Sequence, residues 1–150
     1  MDTGASSSQI KWAIGGYSLH LNKTYTSESQ YLADINGSGS ASSCTPAQAN
    51  TENAYRLNPG GTVPRTAIGW DGSKIVLAVF QSEKAYEVRQ FMKNEGCTMA
   101  VMLDGGGSSQ MRFLVASPSG NFVGTYDPSG ENRSVYNMVA VNPTQWIYQY

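Results

Sequence analysis

The spacing of apolar positions changes several times along the chain, and each change marks an element. In "IKWAIGGYSLHLN", Leu19 and Leu21 alternate with Ser18 and His20, which predicts two short strands joined at Gly15 and Gly16. A short helix is expected over 27–35. "RTAIGWDGSKIVLAVF" is a pair of β-rich runs flanking Asp71 and Gly72, the dipeptide favoured in tight hairpin turns with positive φ. Ser82 then offers an N-cap and Glu83 an acidic first turn. Ala85, Val88, Phe91 and Met92 follow at helical spacing until Gly96, so a helix is predicted over 82–95. "TMAVML" is a continuous apolar run suited to a strand buried on both faces and ending at Leu103. "QMRFLVA" predicts the next strand; turn-rich "SPSGN" and "DPSGEN" lead to a last one, "SVYNMVAV", over 134–141.

Between the first helix and the hairpin, residues 36–64 are rich in Gly, Ser, Asn and Pro and keep no period. Unstructured loops of that length are uncommon inside a domain and are usually functional or mobile, which makes this one a candidate lid. The fold expected is of the α/β class in its α+β form. It is a single domain over 1–150 with a central mixed sheet, one clear helix and long glycine- and serine-rich loops. The strand ending at Leu103 is expected at the centre, between the hairpin and the last strand.

Composition narrows the partners. A chain of 150 residues is the size of one domain. Its formal charge of −1 lacks the basic stripe that nucleic acid requires. No apolar run is long enough to span a membrane, and "MDTGASSSQ" has neither the basic start nor the apolar core of a secretory signal, so the chain as written reads as cytoplasmic while the compartment stays open. Cys97, at the start of an apolar run, is read as a buried thiol and Cys44 as a loop residue, with no disulfide between them. The single histidine, His20, falls on the polar phase of its strand and is read as exposed, not catalytic.

The segment "VMLDGGGSSQMRF" is where chemistry is expected. Gly gives up more backbone freedom on folding than any other residue, so three in a row need a reason. Following a strand end, Gly105, Gly106 and Gly107 let successive N–H groups converge on an anion, with Ser108 and Ser109 as further donors and Asp104 as a carboxylate beside them. No Lys follows, so this is no Walker loop, and no helix follows, so it is no dinucleotide fingerprint. The structural alternative is a wide hairpin connection whose glycines permit positive φ or a bulge.

"VPRTAIGWDG", "AVMLDGGGSSQM" and "NRSVYNMVAV", in this order, resemble the phosphodiester glycosidase domain family over about Ile10 to Val141. The resemblance implies hydrolysis of the bond between a sugar's anomeric carbon and a phosphodiester oxygen. It implies a pocket near Arg65, Asp104, Arg133 and Asn137. Asp104 and Arg65 are read as catalytic, Asp104 activating water, attacking the anomeric carbon or stabilising the oxocarbenium charge and Arg65 holding the phosphate with the Gly105 to Ser108 amides, while Thr66, Arg133 and Asn137 are read as binding ligand beside the glycine loop. Domains of this family are often extracellular or associated with the cell envelope. The chemistry is physically coherent. Ordinary glycosidases need a second carboxyl to protonate the departing alcohol, whereas a phosphomonoester leaves as a stabilised anion with a second pKa near ~6, so one carboxylate can suffice. A different class of function also fits: a module, including a phage-borne one, that captures a sugar phosphate or nucleotide without turning it over. No cofactor or resident metal is called for, a divalent cation is left open, and a homo-oligomer is compatible with either reading.

Overall fold

The structure, a computed structural model, describes residues 14, 16–35, 60–115, 122–135 and 139. In chain order these form β1 (Tyr17–Ser18), α1 (Glu28–Ile35), β2 (Val63–Trp70), β3 (Ile75–Glu83), α2 (Ala85–Asn94), β4 (Met99–Met102), a short 3-10 turn (Gly106–Ser108), β5 (Met111–Val115) and β6 (Phe122–Tyr126). One sheet has the order β1-β4-β2-β3 and a second pairs β5 with β6. All these pairings are antiparallel, and with the two helices they make the α+β architecture expected from the sequence. Among the described residues no helix is long and apolar enough to cross a membrane.

The β2–β3 hairpin forms where it was predicted, with Trp70 opposite Ile75 and Arg65 opposite Phe80. Its tip lies one residue further on than expected. Gly72 alone takes a positive φ, of 109°, while Asp71 turns its carboxylate inward to accept the N–H groups of Ser73 and Lys74, each at 2.7 Å. An Asp that can satisfy two backbone donors serves the turn better from its flank than from its centre. The expected loop 36–64 ends early, because Val63 and Pro64 join β2 across a register shift, where a strand tolerates a residue lacking an N–H. Residues 36–59 of the candidate lid lie outside the described residues.

The second helix begins at Ala85 and not at Ser82. Ser82 and Glu83 continue β3, Glu83 still standing opposite Val63, and Lys84 is the extended N-cap. Its end follows the sequence closely. Gly96 adopts φ 79° and donates to the Lys93 carbonyl, while the Cys97 N–H reaches the Met92 carbonyl, each at 3.0 Å, which together form a Schellman closure. The buried stripe is Ala85, Val88, Arg89 and Met92. Phe91 stands outside it and meets Phe80 edge-on at 5.1 Å. Arg89 takes the inner position because its guanidinium stacks 4.7 Å from the Tyr25 ring and donates to the Lys23 carbonyl at 2.6 Å.

Ala67, Ala78, Ala100 and Met102 share the core with Val88, Met92 and Cys97. Gly69 lies directly under the sulfur atoms of the seam: a β-carbon there would fall 2.6 Å from Cys97 Sγ and 3.1 Å from Met92 Sδ. Cys97 is a buried free thiol, as expected, and burial pushes its pKa up; Cys44 lies outside the described residues. On the opposite face Trp70, Ile75, Leu77 and Met99 are exposed. The "TMAVML" strand is covered fully on one face, where Ala100 and Met102 are buried, and in part on the other, where Val101 is half-buried opposite the buried Ile68 while Met99 is open. It is interior to the sheet, but its neighbours are β2 and β1. Of the expected last strand, Ser134 and Val135 carry no strand structure, and 136–138 and 140–141 lie outside the described residues. In the N-terminal stretch only Tyr17 and Ser18 are strand, while 10–13 and Gly15 lie outside the described residues.

In α1, the Ser27 hydroxyl accepts the Gln30 N–H at 3.2 Å as an N-cap, and Tyr31 and Ile35 are buried. On its outer side Asp34 gathers three donors. Lys23 Nζ reaches both carboxylate oxygens at 3.1 and 2.8 Å, the Tyr25 hydroxyl donates to Oδ2, and His20 Nδ1 lies 3.0 Å from the same oxygen. His20 is thus not the exposed strand residue expected. It sits just past β1 at φ 49°, partly buried against Asp34. Burial by itself would push the Asp34 carboxyl up, but hydrogen bonds from Lys23, Tyr25 and His20 outweigh it and hold the group well below the usual carboxylate range. A depressed folded-state pKa stabilises the fold fully above the unfolded value of about 3.9 and loses that effect as pH falls below it. The urea midpoint of the wild type should therefore fall more steeply than that of Asp34→Asn on acidification through about pH 4. Parallel pH dependences would show that the cluster adds nothing.

Candidate functional site

The site grows from the pairing of β2 with β4. Ala67 stands opposite Met102, and one residue further the Leu103 N–H donates to the Thr66 carbonyl at 2.9 Å. The chain then leaves the sheet at Asp104, beside the start of β2. Gly105 packs so closely there that a β-carbon would sit 3.0 Å from the Pro64 carbonyl oxygen. Gly106 takes φ 60°, a left-handed value costing an L-residue roughly 1–2 kcal/mol. This residue requires glycine for its backbone; Gly105 requires it for space.

The loop folds upon itself through its own amides. The Gly105 N–H donates to Asp104 Oδ1 at 2.9 Å, Ser108 N–H to the Gly105 carbonyl at 3.3 Å and Ser109 N–H to the Gly106 carbonyl at 3.0 Å. Of the amides in the expected cradle, this leaves those of Gly106 and Gly107 without a hydrogen bond among the described residues. Asp104 itself is exposed. Among the described residues, two hydroxyls bordering the loop, Thr66 Oγ1 and Ser109 Oγ, are buried without a hydrogen-bond partner, and Ser109 is wholly inaccessible. An unpaired buried hydroxyl is costly, on the order of 1–3 kcal/mol, and calls for a reason.

A third segment closes over the loop. In "DPSGENR" the Asp127 carboxylate accepts the Ser129 and Gly130 N–H groups, the Ser129 hydroxyl and the Asn132 N–H at 2.7–3.1 Å, with Asn132 itself at φ 46°. The Ser129 hydroxyl foremost, with the backbone donors, holds this carboxyl below the usual range. Gln110 Nε2 donates to the Arg133 carbonyl at 2.7 Å and ties the segment to the end of the glycine loop. The Glu131 carboxylate lies against Gly107, where a β-carbon would run into it. Glu131 was not singled out from the sequence; in a turn-rich run it reads as a solvated charge.

Residues 64–66, 104–109 and 131–133 thus adjoin, although they are distant in the chain. Arg65 is the exception in orientation. It is 4 % exposed, donating from Nε to the Glu83 carbonyl at 2.9 Å and from a terminal nitrogen to the Gly61 carbonyl at 2.8 Å, and burial lowers its pKa. Arg133 offers its carbonyl to the loop and is otherwise exposed. Asn137 lies outside the described residues. His20 is far along the sheet, since Leu19 pairs with Ala100 while Asp104 follows the other end of β4. Among the described residues no three His, Cys, Asp or Glu side chains gather into a cation site.

No curated protein and no solved structure matches the chain. The phosphodiester glycosidase family profile does match, over residues 8–142, and that span takes in β2, the glycine loop and the Asp127 turn together. By that match the chain belongs to the phosphodiester glycosidase family.

Proposed function

We propose that the protein hydrolyses a sugar 1-phosphodiester, breaking the bond between the anomeric carbon and the phosphate oxygen. The observation that carries this reading is a pair of buried hydroxyls bordering the Asp104 loop, Thr66 Oγ1 and Ser109 Oγ, that have no partner among the described residues. They are donors in reserve next to amides and a carboxylate, which suits an anionic ligand. In this reading the Gly106 and Gly107 amides, with the Ser108 hydroxyl beside them, bind the phosphate, and ordering of the loop around it brings the enclosed Thr66 and Ser109 hydroxyls into the hydrogen-bond network. Arg65 contributes positive charge from the buried side of β2 and Arg133 contributes from the covering segment, while Asn137, outside the described residues, is assigned to the ligand by the family resemblance. Asp104 faces the anomeric carbon and stabilises the positive charge that develops as the bond breaks. The departing phosphomonoester needs no proton, because its second pKa is near ~6.

Incubation with N-acetylglucosamine phosphodiesters and nucleotide sugars, followed by mass spectrometry, tests the reading. Free sugar with phosphomonoester supports it; intact ligand retained on the protein without release would instead make the chain a capture module. The loop has its own test. Gly106→Val is expected to weaken ligand binding at least tenfold while lowering the melting temperature only modestly. Its backbone strain is about 1–2 kcal/mol, with an added β-branched side chain beside the ligand amides. Unchanged affinity would reduce the loop to a turn.

A further inference from the structure

We infer that Glu131 is the base that activates the hydrolytic water, an assignment that rests on the hydrolase reading above. Four observations converge on it. Its carboxylate lies over the α-carbon of Gly107, with Oε1 3.1 Å and Cδ 2.7 Å from where a β-carbon would stand, so the third glycine of the triplet admits this side chain. The segment carrying it is fixed, since Asp127 binds the backbone on both sides of Glu131 at Gly130 and Asn132, and the Glu131 N–H itself donates to Ser129 Oγ at 3.2 Å. Among the described residues the carboxylate has no hydrogen bond or ion pair of its own, leaving both oxygens available as acceptors. Asp104, by contrast, already has Oδ1 engaged by the Gly105 N–H.

The chemistry decides between acid and base. A second carboxyl is needed as an acid only when the leaving oxygen must be protonated, and a phosphomonoester leaves unprotonated. Glu131 therefore serves the incoming side. A water proton passes to Glu131 and the water oxygen bonds to the anomeric carbon. The electron pair of the breaking carbon–oxygen bond stays with the phosphate oxygen, giving the free sugar and a phosphomonoester dianion. The proton then leaves Glu131 for solvent. Asp104 keeps the electrostatic role.

The experiment compares wild type, Glu131→Gln and Glu131→Asp on an N-acetylglucosamine 1-phosphodiester that the wild type hydrolyses. It measures kcat and KM from about pH 4 to 9, with melting temperatures alongside. Glu131→Gln should lower kcat by roughly 10²–10⁴-fold, the scale of a lost general base, with KM little changed and the acidic limb of the kcat profile gone. Added azide, a nucleophile needing no base, should restore turnover and yield the glycosyl azide; Glu131→Asp should keep part of the rate. A Glu131→Gln variant with wild-type kcat and acidic limb overturns the assignment and leaves the hydrolase reading standing. So does a loss matched by collapse of the melting temperature in both variants. A wild type that hydrolyses none of a panel of sugar phosphodiesters and nucleotide sugars overturns the hydrolase reading and this assignment with it.

Discussion

Asp104→Asn is expected to reduce turnover of a sugar phosphodiester by roughly 10²–10⁴-fold while ligand affinity holds or improves. The substitution preserves shape and a carbonyl oxygen able to accept the Gly105 N–H, the one contact the carboxylate makes within the loop. What it removes is charge. A negative charge near the anomeric carbon lowers the energy of the oxocarbenium-like transition state but repels the phosphate in the ground state, so its loss separates kcat from affinity. Asp104 is exposed, and the melting temperature should scarcely move. Steady-state kinetics with isothermal titration on the same preparation decide the matter. A variant as fast as the wild type would remove Asp104 from the mechanism.

Met92→Ala is the counterpart for stability. Met92 is wholly buried at the contact of α2 with the sheet, over Gly69 and against Cys97, whose sulfur lies 3.9 Å away. Because Gly69 brings no side chain to fill the void, the cavity should collapse poorly, which places the cost within the usual ~2–5 kcal/mol for such a truncation. At this chain length that corresponds to a fall in melting temperature of roughly 5–20 °C. Calorimetry reads it directly. A fall of only a degree or two would mean that the seam repacks freely.

The contrast between these two residues bears on how far the sequence could be read. The hairpin, the Gly96 helix end and the strand leading to Asp104 were legible because each rests on local chemistry: a turn residue, a left-handed glycine, an apolar run. Failures came where a distant partner decided the outcome. Ser82 is a good N-cap by type, but β2 extends far enough to keep Glu83 paired and delays the helix. Phe91 has the right spacing for the core, yet Tyr25 and the Lys23 carbonyl make a better place there for Arg89. β6 was overlooked because Gly124 sits in its middle; the structure has the Phe113 ring from the opposing strand lying over that glycine and supplying the missing packing. At the candidate site, Asp104 and the glycines announced themselves, whereas Glu131 acquires meaning only once Gly107 lies beneath it.

The Cys97 thiol, enclosed between Met92 and the bare backbone of Gly69, gives the helix–sheet seam a built-in probe of its local stability. Burial keeps the thiol protonated and out of reach, so an alkylating reagent can modify it only during moments when α2 lifts from the sheet. When reclosing is faster than alkylation, the labelling rate at this one sulfur, read against that of an unfolded chain, measures the free energy of that local opening under native conditions. The stability of the seam can therefore be measured without denaturant, and separately from whatever happens at the opposite end of β4, where Asp104 leaves the sheet.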